Sequence, residues 1–145
     1  MDLSKNSLTN GDRNLQEIPA RLPKLKILNL DNNKLHCGSL PDLAPATNLQ
    51  TLQLNHNSLG TQPPASKSAG TSVAALLDSS PIPGLPSSLK TIQLTFNSLA
   101  SIPTQLACAH LTSLRVIDLS DNRLAGVLPP AMKVLIGLVE LRLDR

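Results

Sequence analysis

The sequence predicts a solenoid, in which short strands stack repeat upon repeat around one continuous aliphatic core. Three observations predict it. Leucine fills 30 of 145 positions, against one phenylalanine and no tyrosine or tryptophan. A core of this size normally uses aromatics, because each buries a large area; a core of one medium-sized aliphatic residue implies one packing unit used repeatedly. The pattern Leu-x-x-Leu-x-Leu-x-x-Asn-x-Leu recurs, and self-similarity at such a period is the signature of a repeat architecture. Its closing asparagines, Asn6, Asn33, Asn57, Asn97 and Asn122, are spaced by 27, 24, 40 and 25 residues.

Taken in order along the chain, the elements are as follows. Met1, Leu3, Asn6 and Leu8 supply the tail of a first copy. Full copies follow at Leu25, Leu28, Leu30, Asn33 and Leu35, then at Leu49, Leu52, Leu54, Asn57 and Leu59. Two more lie at Leu89, Ile92, Leu94, Asn97 and Leu99, and at Leu114, Ile117, Leu119, Asn122 and Leu124. Leu138, Leu141 and Leu143 supply the head of a sixth. The expected organisation is a single domain over residues 1–145, of about five to six repeats, incomplete at both ends and so expected to be a piece of a longer protein.

Within Leu-x-Leu the leucines lie two apart, so both point to one side of a strand while the residue between them points to solvent. One such strand cannot bury its leucines alone; stacking buries them, at roughly 1.5–3 kcal/mol per fully buried leucine. The asparagine ends the strand where the backbone turns inward. Its amide both donates and accepts, so it can satisfy backbone groups that the turn would otherwise strand.

These motifs resemble the leucine-rich repeat superfamily over nearly the whole chain, down to the Ile/Leu-Pro punctuation at Ile18-Pro19, Leu40-Pro41, Ile82-Pro83, Ile102-Pro103 and Leu128-Pro129. The resemblance implies an α/β solenoid: a right-handed superhelix with a short-stranded parallel sheet on its concave face and mostly loops or short helical turns on its convex face. It assigns Asn6, Asn33, Asn57, Asn97 and Asn122 to a structural asparagine ladder. Most repeats resemble the 23–24-residue type of cytosolic scaffold proteins. Residues 81–89 resemble a short bacterial-style repeat, and residues 123–129 a plant-type turn.

The 40-residue interval contains an insertion at 60–80. Its first half is rich in Gly, Pro, Ser, Thr and Ala and reads as a surface loop. Residues 71–78 read as two helical turns, with Val73, Leu76 and Leu77 towards the solenoid. Of all segments, this insertion is expected to be the most mobile.

Charge and composition narrow the function. The net charge is +3 from 13 basic and 10 acidic residues. The basic residues are scattered and have no interleaved tyrosines or tryptophans, which argues against a nucleic-acid footprint. No apolar run reaches the length of a membrane span, and no Asn-x-Ser/Thr sequon or signal-peptide pattern occurs. Cys37 and Cys108 are too few for a disulfide framework and are expected to pack as free, small hydrophobes. A cytoplasmic setting is expected, with an extracellular one for a receptor fragment. His36, His56 and His110 lack zinc spacing, and no nucleophile elbow or phosphate-binding glycine loop occurs. The chain is expected to be no enzyme and to need no metal, cofactor or small-molecule substrate.

The outward strand positions carry the functional expectation. The central column is Asp2, Asn29, Gln53, Gln93, Asp118 and Arg142. The column towards the asparagines is Ser4, Asp31, Asn55, Thr95, Ser120 and Asp144, and the opposite one is Ile27, Thr51, Thr91, Val116 and Glu140. Phe96, the sole aromatic, stands at the margin, suited equally to a contact surface or to the core. Resemblance to the family makes protein binding the default. The expected site on the concave face is Asn29, Asp31, Thr51, Gln53, Asn55, Thr91, Gln93, Thr95, Phe96, Asp118, Ser120, Glu140 and Arg142. The leading expectation is a signalling scaffold with a protein partner. A receptor-ectodomain fragment and the substrate-targeting domain of a larger enzyme are the competing readings.

Overall fold

A computed structural model describes residues 1–9, 13–36, 42–60, 84–103, 106 and 108–144. Its elements are a helix α1 (Arg13–Arg21) and five strands, β1 (Ile27–Asn29), β2 (Thr51–Gln53), β3 (Thr91–Gln93), β4 (Val116–Asp118) and β5 (Glu140–Arg142). A 3₁₀ helix, Pro130–Val134, precedes β5. The strands form one parallel sheet in sequence order, β1-β2-β3-β4-β5. The architecture is the stacked solenoid that the repeat period implies.

The register follows the repeat residue for residue. Leu28, Leu52, Ile92, Ile117 and Leu141 align across the sheet, as do Asn29, Gln53, Gln93, Asp118 and Arg142. The ladder runs on past each strand: the N–H groups of Leu30, Leu54, Leu94 and Leu119 donate to the carbonyls of Gln53, Gln93, Asp118 and Arg142 at 2.8–2.9 Å. Inward positions are sealed by the turns on either side, and Leu28, Leu52, Ile92 and Ile117 have no exposed surface. One contiguous core results, almost wholly of leucine and isoleucine. The long asparagine interval does not interrupt the sheet, since β2 pairs directly with β3. Most of the 60–80 insertion, including the helical turns read at 71–78, lies outside the described residues, as does Cys37.

The convex side carries one helix that the periodicity does not reveal. In α1, Leu15 and Ile18 are buried in the core, and Glu17 pairs with Arg21 at 2.6 Å one turn on. Residues three and four apart share a helix face, so Leu15 and Ile18 dock while Glu17 and Arg21 stay in water. Pro19, read as punctuation between elements, sits inside this helix. Cys108 is a free cysteine, half-buried against the core.

The turns closed by a ladder asparagine share a backbone feature that a residue pattern alone does not announce. Lys5, Asn32, His56, Phe96 and Asp121, each directly before a ladder asparagine, adopt left-handed backbone with φ of 53–56°. This conformation lets the chain turn inward within one residue. It is disfavoured for L-residues by roughly 1–2 kcal/mol, and Asn, Asp and His tolerate it best. Ser98, one residue past Asn97, is also left-handed at φ 57°. It lies against Gly60, where an added Cβ would overlap the Ser98 carbonyl.

Candidate functional site

The outward face of the sheet rests on the asparagines beneath its edge. Asn57 Nδ2 donates to Leu30 O of the preceding turn at 3.0 Å and to Leu54 O and Asn55 O of its own turn at 3.1 and 3.2 Å. Its Oδ1 accepts from Leu35 N–H at 3.1 Å. Asn33 bonds in the same way to Leu3 O, Leu30 O and Asp31 O, and accepts from Leu8 N–H. Asn122 donates to Leu94 O, Leu119 O and Ser120 O, and accepts from both Asn97 N–H and Leu99 N–H. Asn97 donates to Leu54 O and Thr95 O and accepts from Leu59 N–H. All four are buried. Asn6 differs: it is exposed and donates only to Leu3 O and Ser4 O of its own turn. Among the described residues, both of its acceptors belong to its own turn.

Above this ladder the outward side chains hold one another. Gln53 Nε2 donates to Gln93 Oε1 at 3.0 Å across β2 and β3. Asp31 Oδ1 accepts from Asn55 N–H at 2.7 Å, and Asn55 Oδ1 accepts from both the N–H and the hydroxyl of Thr95 at 2.9 Å. Asn29 Oδ1 accepts from Asp31 N–H, and Asp2 Oδ1 from Ser4 N–H, each at 2.9 Å. The Ser4 donation favours the ionised form and holds the Asp2 carboxyl below the usual carboxylate range. At the other end Arg142 Nε donates to Glu140 Oε1 at 2.7 Å, which raises the guanidinium pKa, and Arg142 lies 3.6 Å from Asp118. Thr51 and Thr91 stand half-buried beside the glutamine pair.

One outward residue sits differently from the sequence reading, and the structure decides between the two readings of another. Asp118 alternates outward yet is only 8% exposed. Its Oδ1 accepts from Ser120 N–H at 3.1 Å, and Arg142 covers its other oxygen, so it is a structural part of the face and not a solvated handle. Phe96 lies outside the core, 48% exposed, its ring stacked on His56 at 4.3 Å between centroids and 9° between planes. Both rings stand on left-handed residues of adjacent turns, which is what brings them into register. The alternation of strand side chains could not show this stack, because neither residue is in a strand.

Among the described residues no three of His, Cys, Asp and Glu are grouped to hold a metal ion. No helix there is long and apolar enough to cross a membrane.

Comparison with known families matches the Leucine Rich Repeat model at three places, residues 24–45, 48–68 and 113–135. The chain is a leucine-rich repeat protein. Each matched segment spans one strand with the ladder asparagine that closes it, β1 with Asn33, β2 with Asn57 and β4 with Asn122. The β3 turn lies outside the matched segments, yet it keeps the same register and its asparagine the same bridge to the preceding turn. Leucine-rich repeats of this kind indicate a protein-interaction module in general.

Proposed function

We propose that this leucine-rich repeat protein is a non-catalytic scaffold, acting in the cytoplasm, whose partner docks on the outward face of the sheet. The observation that carries the reading is the Gln53–Gln93 pair flanked by Thr51 and Thr91. Two glutamine side chains are held to each other before any partner arrives, with the threonines beside them on the same two strands, so binding orders little. Charge supports a protein partner over a nucleic acid: Asp2, Asp31, Asp118, Glu140 and Asp144 face outward with Arg142 as the only basic residue of those columns. Such a surface repels phosphate. The free thiol of Cys108 suits a reducing compartment.

The test is a Thr51→Arg and Gln93→Arg double variant in an affinity pull-down read by mass spectrometry. Both sites are half-buried on the outward side and away from the core, so the circular dichroism spectrum should be unchanged. Partner recovery should fall by an amount on the order of 2 kcal/mol, the scale of a hot spot. Full recovery of the same partner by the variant would remove the outward face as the site.

A further inference from the structure

The left-handed place before each ladder asparagine is filled by Lys5, Asn32, His56, Phe96 and Asp121 in turn. Asparagine, aspartate and histidine suit that backbone best, whereas a bulky ring there is strained. Burial does not offset the strain at Phe96, because its ring lies outside the core and is 48% exposed. Folding alone would favour the asparagine that stands at this place in the β1 turn.

The His56–Phe96 stack runs along the axis of the solenoid. The ring centroids are 4.3 Å apart and the planes 9° from parallel, a separation close to the about 4.8 Å between neighbouring strands. His56 N–H donates to Thr95 O and Phe96 N–H donates to Ser120 O, so the three turns follow one another in step. His56 lies against the face of Phe96 that looks to the β2 turn. The other face looks to the β4 turn, where Asp121 holds the equivalent place, exposed and with φ 54°. Among the described residues the Asp121 carboxylate has no ion pair, not even with Arg123 two residues on. An open aromatic face therefore stands one turn away from an unpaired carboxylate.

We infer that Phe96 and Asp121 form a slot for an arginine side chain of the protein partner, with the guanidinium stacked on the open face of the ring and paired with the carboxylate. The inference rests on the outward face as the docking surface, whose asparagine-side margin this slot forms. A guanidinium is planar and lies flat on an aromatic face, where the ring attracts its charge. Stacked on Phe96 it comes level with the Asp121 turn, and its N–H groups point in its own plane towards the carboxylate. A lysine ammonium meets ring and carboxylate only as a point charge, and a third aromatic ring would leave the carboxylate unused. The neighbouring columns favour a cation as well, with Asp2, Asp31, Asp118, Glu140 and Asp144 against the single Arg142.

The probe is the capped tripeptide Gly-Arg-Gly, which reads the slot without the partner; the outward face itself is read separately, by the Thr51→Arg and Gln93→Arg pull-down. Phe96 is the only phenylalanine of a chain without tyrosine or tryptophan, so its ring protons are identifiable in a proton NMR spectrum. They should shift saturably as the peptide is added, with Overhauser contacts to the arginine side chain. The capped tripeptide Gly-Lys-Gly should bind about threefold more weakly. Asp121→Asn should weaken the arginine peptide by about threefold, the scale of an exposed ion pair. Phe96→Asn, followed through the peptide signals, should weaken it by about threefold through loss of the cation–ring contact, and should keep its circular dichroism spectrum because asparagine suits the left-handed backbone. No saturable shift, equal binding of the lysine peptide, or undiminished binding by either variant would each overturn the slot.

Discussion

Each buried ladder asparagine uses both ends of its amide, and this is why no other side chain of its size serves. Nδ2 reaches a carbonyl of the previous turn while Oδ1 receives an N–H of that turn, as Asn57 does with Leu30 and Leu35. An aliphatic side chain would fill the space and leave both groups buried without partners. Asn57→Ala should therefore destabilise by about 2–3 kcal/mol, the scale of stranding buried polar groups. Asn6→Ala, which removes only exposed contacts within one turn, should stay within about 0.5 kcal/mol. Urea melts compare them directly, and equal losses would show that the bridge to the preceding turn contributes nothing. The asparagine bonds were legible in the sequence because the motif fixes both spacing and chemistry. The left-handed residue before each asparagine was not: Lys5, Asn32, His56, Phe96 and Asp121 share a backbone conformation but no side-chain property.

A turn of this solenoid is held to its neighbour at two levels, the sheet and the bend beyond the asparagine. At the bend β2 meets β3 through Gly60 N–H donating to Asn97 O at 2.9 Å. The glycine is required by the close approach of Ser98, whose carbonyl occupies the space a Cβ would take. Backbone on backbone cannot yield as a flexible side chain can, so Gly60→Ala should destabilise by about 1–3 kcal/mol, as overpacking does elsewhere. A thermal melt settles it; an unchanged midpoint would mean that the bend opens freely. The strands were readable because Leu-x-Leu alternation survives in all five turns. Helix α1 was harder to read, since only Leu15 and Ile18 mark its inner face and Pro19 suggests a break. The fate of Asp118 was unreadable for a different reason. Alternation gives the direction of a side chain, and only the sheet register shows that Arg142 comes to lie over it.

Across the whole molecule stability depends on the number of neighbours, because each turn touches only the turns before and after it. Leu52 lies between Leu28 and Ile92 and has no exposed surface, whereas Leu141, half-buried, has only Ile117 beside it among the described residues. Removing the same side chain at these two places should therefore have unequal effects, although the repeat motif treats them as equivalent. Leu52→Ala opens a cavity closed on both sides and should lose about 3–5 kcal/mol, near the upper part of the range for such truncations. Leu141→Ala lets solvent reach the vacated space and should lose about 1–2 kcal/mol, since a site that can collapse or fill is less damaged. The two urea midpoints measured on the 145-residue chain check the difference. Equal destabilisation there would contradict a stack in which burial grows inward from the ends.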